Sequence, residues 1–150
     1  MRKLHTDVRP IRIEHRLGVL RELLAATPGL VGAYLFGSYG TPYQTPLSDV
    51  DLALLFRPGE EPDFHREMTL RGDFLRALEE EDVGIVLLHR MPSPFQLEVL
   101  STGRSLYCSD RRALADFVER VLRVHADFEP DHRRFLDEYD RALRERYAAG

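Results

Sequence analysis

The chain contains one cysteine, Cys108, among its 150 residues. A lone thiol excludes an internal disulfide, and without a second cysteine the common cysteine-based zinc patterns are absent as well. Cys108 reads as a small apolar residue at a strand end. Long hydrophobic runs are also missing: no stretch approaches the roughly 18 apolar residues of a spanning helix, so no membrane partner is expected. The first residues are positive, but further charges follow where a secretory apolar region would stand, which makes a cytoplasmic location the expectation. There is no excess of positive charge either. A net charge of -4 and a pI near 5.9 argue against a basic footprint for nucleic acid.

No internal repeat, low-complexity tract or long linker divides the chain. One domain over residues 1–150 is expected, with a core at about 11–109 and a helical C-terminal part at about 110–147. A chain of this length buries roughly 68 to 70% of its unfolded surface, enough for one core.

The apolar pattern places the elements. Ile13, Leu17, Leu20 and Leu24 recur at steps of three to four and predict a helix over residues 11–26, stopped by Thr27, Pro28 and Gly29. Residues 31–36 are a short apolar run between glycines, a buried strand. Residues 49–56 form a second strand, closed by Arg57, Pro58 and Gly59. Asp63 is an N-cap for a helix to about residue 81 through Phe64, Met68, Leu70, Phe74, Leu75 and Leu78. Residues 83–88 are a third strand. Pro94 and Gly103 frame a short helix through Phe95, Leu97, Val99 and Leu100, and residues 105–107 are a fourth strand. Asp110 caps a long helix carrying Leu114, Phe117, Val118, Val121, Leu122 and Val124. Pro130 interrupts it, and a final amphipathic helix runs through Phe135, Leu136, Tyr139 and Leu143. This order describes an α+β fold with a small mixed β-sheet flanked by helices.

The chemistry concentrates between residues 36 and 55, FGSYGTPYQTPLSDVDLALL. Gly37 and Ser38 follow a strand directly, where a tight turn leaves backbone N–H groups pointing outward as an anion site. Glycine lets a phosphate approach the backbone, and the Ser38 hydroxyl adds a donor. After ten intervening residues Asp49 and Asp51 stand two apart at the head of a strand, so both carboxylates leave one face of the sheet. Paired hard oxygen ligands suit Mg²⁺ shared with a triphosphate. Ser48 is placed to cap or orient Asp49. Taken singly, a Gly-Ser pair is usually a turn and an Asp-x-Asp often a loop end; their conjunction at this interval points to nucleotide binding.

These residues resemble the nucleotidyltransferase superfamily of the DNA polymerase β type, and specifically its minimal nucleotidyltransferases (MNT). The pattern Gly-Ser, ten residues, Asp-x-Asp is filled by Gly37, Ser38, Asp49 and Asp51. VLLHRMP, FQLEVLSTGRSLYCSD and HADFEP are similar to other parts of such proteins, extending the resemblance over about residues 17–147. It implies a polymerase β palm-like fold, ATP and Mg²⁺ as cofactors, and transfer of AMP to an acceptor hydroxyl. Gly37 and Ser38, with Ser48 nearby, would hold the nucleotide phosphates, and Asp49 and Asp51 the metal.

Active members of the family usually carry a third carboxylate on the neighbouring strand, and Gly84 falls at that position here. Asp82 faces the same side but lies about 7 Å away along the strand. A bulge would bring it in as a third catalytic carboxylate; otherwise it belongs to an acidic turn. Small proteins of this kind are similar to antitoxins that bind a HEPN-domain toxin as a hetero-oligomer and, in some cases, adenylylate it. Three readings follow: a protein adenylyltransferase, a binding module that neutralises a partner without turnover, and a transferase acting on a small molecule. Arg120 and His125 spell a short signature of HEPN RNases themselves, but the helical bundle that belongs with it is absent, and both read as solvated helix positions.

Overall fold

Val50–Phe56 is the strand on which the architecture turns, because it alternates between two apolar faces and therefore has to be covered on both sides. The computed structural model describes residues 13–37, 50–80, 83–126, 141 and 145. A 3₁₀ turn at Glu14–Arg16 leads into α1 (Leu17–Ala25), followed by β1 (Leu30–Phe36) and β2 (Val50–Phe56). Then come α2 (Phe64–Leu78), β3 (Val83–Leu87), α3 (Ser93–Thr102), β4 (Arg104–Cys108) and α4 (Arg111–Ala126). The strands form one sheet in the order β3-β2-β1-β4. β1 is antiparallel to both β2 and β4, whereas β2 and β3 are parallel, with α2 as the crossover that a parallel pair requires.

Side chains alternate across β2, and each set meets its own helical layer. Leu52, Leu54 and Phe56 join Val83, Ile85 and Leu87 of β3 beneath Leu17, Leu20 and Leu24 of α1 and Phe74 and Leu78 of α2. Ala53 and Leu55 face the other way, with Val31 and Tyr34 of β1, onto Leu97 and Leu100 of α3 and Leu114, Phe117, Val118 and Val121 of α4. A register shift between Leu30 and Gly32 changes the phase of β1. Leu30, Ala33 and Leu35 therefore share the first layer while Val31 and Tyr34 share the second. Each edge strand has a carbonyl occupied by an arginine: Arg71 Nη2 donates to Ile85 O at 3.1 Å and Arg21 Nε to Leu106 O at 3.2 Å. Occupied edge carbonyls make the sheet a poorer template for another strand.

The α+β class and four mixed strands agree with the sequence expectation, and so do both cap residues. Asp63 accepts from the Arg66 N–H at 2.8 Å, and Asp110 accepts from the Ala113 N–H at 3.0 Å. Some boundaries differ. α2 stops at Leu78 rather than near residue 81, because Glu79 adopts the left-handed region at φ 55° and its N–H returns to Arg76 O and Leu75 O. β3 ends at Leu87, and Leu88 opens a 3₁₀ turn. Phe64 and Met68 of α2 and Val124 of α4, counted above with the apolar patterns, are 76%, 40% and 52% exposed and add little to the core. Of the expected final helix, Arg141 and Glu145 are helical and exposed; the rest of it lies outside the described residues. No helix among the described residues is long and apolar enough to cross a membrane.

Candidate functional site

Phe36 and Asp51 are the last paired residues of the β1–β2 ladder. The chain therefore leaves the sheet at Gly37 and re-enters at Val50, so Gly37 and Asp51 occupy the same end of two adjacent strands. Gly37 is exposed and holds φ at +90°, a conformation that a side chain would strain. Ser38, Ser48 and Asp49 lie outside the described residues, as does Asp82.

Asp51 is half-buried. It follows the alternation of β2 and so points to the side of the sheet that Ala53 and Leu55 share with α3 and α4. Its neighbour on β1, Phe36, packs edge-on against Phe95 in the first turn of α3, with ring centroids 5.4 Å apart and planes at 89°. On the other side Asp51 pairs with Gly84 of β3. A Cβ built on Gly84 would collide with Asp51 Oδ1 and stand 3.5 Å from Asp51 Cγ. The carboxylate thus lies over bare backbone on the neighbouring strand. From the sequence alone Gly84 is only an absent carboxylate. The structure adds that it is also the clearance Asp51 occupies, and the available signal was a glycine inside an otherwise apolar strand.

The β2–β3 ladder runs without a shift from Val50↔Val83 to Leu54↔Leu87, so the described ladder contains no bulge. Among the described residues no three His, Cys, Asp or Glu side chains cluster as a metal site. The Asp51 carboxylate, half-exposed and lying against Gly84, offers oxygen donors of the kind Mg²⁺ takes, and Asp49 is the residue that would complete the pair.

Perturbed titrations occur at the opposite end of the sheet. Arg57, just past β2, donates Nη1–H to Asp110 Oδ2 at 2.7 Å. The Ala113 N–H first, and Arg57 second, hold the Asp110 carboxyl below its usual range, while Asp110 raises Arg57. Burial pushes the His89 imidazole down, and its buried Nδ1 has no hydrogen-bond partner among the described residues. The Asp110 and Arg57 shifts belong to a helix cap and a strand end rather than to chemistry. Of the two residues in the RNase-like signature, Arg120 is exposed and stacks over the Phe117 ring at 5.8 Å, and His125 is half-exposed.

Residues 19–112, more than half of the chain, match the family described as polymerase beta nucleotidyltransferase, and the chain belongs to that family. No curated protein matches it significantly. Solved structures share its fold. A chain of a toxin–antitoxin crystallised with AMP-PNP superposes with a TM-score of 0.62 at 24% identity, over 81% of this chain and 96% of that one. A chain of the tri-AMPylated Shewanella oneidensis HEPN toxin in complex with MNT antitoxin gives 0.60 at 21% identity, over 85% and 98%. A chain of an MntA-HpeT toxin–antitoxin mutant carrying two aspartate-to-glutamate substitutions gives 0.60 at 21%, over 81% and 96%.

Proposed function

We propose that the chain is an Mg²⁺-dependent nucleotidyltransferase that moves AMP from ATP to a hydroxyl of a protein partner, as the antitoxin of a HEPN/MNT pair. The observation that carries this reading is the juxtaposition of the Gly37 turn and Asp51 at the ends of paired strands. Membership of the nucleotidyltransferase family supports the reaction class. The fold shared with an AMP-PNP complex and with a complex of an AMPylated HEPN toxin supports the nucleotide and the partner. A net charge of -4 favours a protein acceptor over a nucleic acid.

In this scheme the Gly37 and Ser38 N–H groups and the Ser38 hydroxyl hold the terminal phosphates, and Ser48 orients Asp49. Asp49 and Asp51 hold Mg²⁺, which when bound offsets charge on the triphosphate. The acceptor oxygen bonds to the α-phosphorus as the bond from that phosphorus to the β-phosphate bridging oxygen breaks. Pyrophosphate leaves, and the hydroxyl proton passes to solvent. Positioning and charge carry such a transfer, since phosphoryl chemistry asks little covalent work of the protein. In the test, the chain, its HEPN-domain partner, Mg²⁺ and α-labelled ATP are incubated together. Label on the partner, lost with Asp51→Asn, is the expected result; no label with any HEPN partner overturns the proposal.

A second reading draws on Gly84, which brings no carboxylate to Asp51. Under it the chain neutralises its partner by binding alone. Replacing both Asp49 and Asp51 with Asn then leaves neutralisation intact, whereas the enzymatic reading requires its loss.

A further inference from the structure

We propose that Gly84 is a positioning residue for Asp51: the bare backbone of β3 sets the direction of the Asp51 carboxylate and so its fitness as a metal ligand. The inference rests on the reading of Asp51 as a ligand and goes beyond it by assigning a role to a residue without a side chain. Three observations converge. Asp51 and Gly84 are direct partners in an unshifted parallel ladder, which fixes their backbones relative to each other. The space a Cβ at position 84 would fill is taken by Asp51 Oδ1, with Asp51 Cγ 3.5 Å from it. And Gly84 interrupts a strand whose other members, Val83, Ile85, Val86 and Leu87, are all apolar strand formers, where glycine weakens the strand unless something approaches closely.

The crowding atom is the tip of a short side chain rather than backbone, so any residue at 84 larger than glycine displaces the carboxylate before it displaces the strand. The strand has support of its own, since the flanking Val83 and Ile85 are buried in the layer beneath α1 and α2. The consequence falls on ligand geometry. Groups that orient a metal ligand typically change affinity by about 10- to 100-fold when altered.

The experiment measures Mn²⁺ binding by electron paramagnetic resonance in the presence of AMP-PNP, with melting temperature in the absence of metal, for the unaltered chain, Gly84→Ala, Val86→Ala and Asp51→Asn. Val86 lies two residues along the same strand on the same face and controls for general loosening there. Gly84→Ala is expected to weaken Mn²⁺ by about 10-fold or more with its metal-free melting temperature kept, while Val86→Ala binds Mn²⁺ normally. If Gly84→Ala binds Mn²⁺ as tightly as the unaltered chain while Asp51→Asn has lost it, the positioning role is overturned and the ligand reading stands. If Asp51→Asn itself binds normally, the ligand reading fails and takes the positioning role with it. Should Gly84→Ala not fold, nuclear Overhauser contacts between the Gly84 Hα and Asp51 Hβ protons of the unaltered chain decide the matter: their presence supports the close approach, and their absence refutes it.

Discussion

Asp51 and Leu52 are consecutive residues of β2 on opposite faces of the sheet, so replacing each in turn separates the chemistry of the strand from its stability. Leu52 is fully buried, in the layer under α1 and α2. Truncation to Ala removes its transfer energy and leaves a cavity that the central strand, hydrogen-bonded on both sides, has little freedom to close. Leu→Ala at such sites costs about 3 to 5 kcal/mol, from a total stability of roughly 5 to 15 kcal/mol. At about 2 to 4 °C per kcal/mol for a chain of this size, the melting temperature falls by roughly 5 to 20 °C. Asp51→Asn keeps the side-chain shape at a half-exposed position and is expected to change metal-free stability by no more than about 0.5 kcal/mol. The assay is thermal unfolding with and without Mg²⁺ and AMP-PNP. A ligand at about 100 times its dissociation constant adds roughly 2.7 kcal/mol to the folded state. Leu52→Ala should lower the baseline and keep that increment; Asp51→Asn should keep the baseline and lose the increment. A loss below about 1 kcal/mol for Leu52→Ala refutes the packing argument. An undiminished increment in Asp51→Asn refutes the assignment of the site.

Gly29, at φ +79°, turns the chain from α1 into β1, and a Cβ there would stand 2.9 Å from Glu60 Cβ. Gly29→Ala combines that clash with the left-handed penalty of about 1 to 2 kcal/mol, and a neutral result in urea unfolding would contradict the turn geometry. Asp110 has its folded-state pKa depressed below 3.8 by the Ala113 N–H and by Arg57. Above 3.8 the carboxylate is ionised in both states and its stabilisation is fully present; the stabilisation is lost as pH falls from 3.8 through the lower folded-state value. The stability gap between the unaltered chain and Asp110→Asn is therefore expected to narrow below pH 3.8, and a gap independent of pH would count against the cap and ion pair.

Wherever the physics is local, the sequence by itself determined the outcome. Asp63 and Asp110 were legible as caps because an N-cap carboxylate answers to the N–H two or three residues ahead, and both make that bond. The strands were legible because β2 needs apolar residues on both faces to lie in the middle of a sheet. The placement of Gly37 and Asp51 at adjacent strand ends was legible because it follows once β1 and β2 are read as strands joined by the intervening segment. The inward or outward direction of Phe64, Met68 and Val124 was not, since helical periodicity says which residues share a stripe and only the packed sheet says where that stripe ends. Nor was the left-handed Glu79 that ends α2 early, a conformation with no penalty-free sequence signature outside glycine and asparagine. The approach of Asp51 to Gly84 was only hinted at, by a glycine inside an otherwise apolar strand. It depends on a parallel register that joins residues 51 and 84 across a helix, and a residue without a side chain acquires a function only from what its neighbour does with the space.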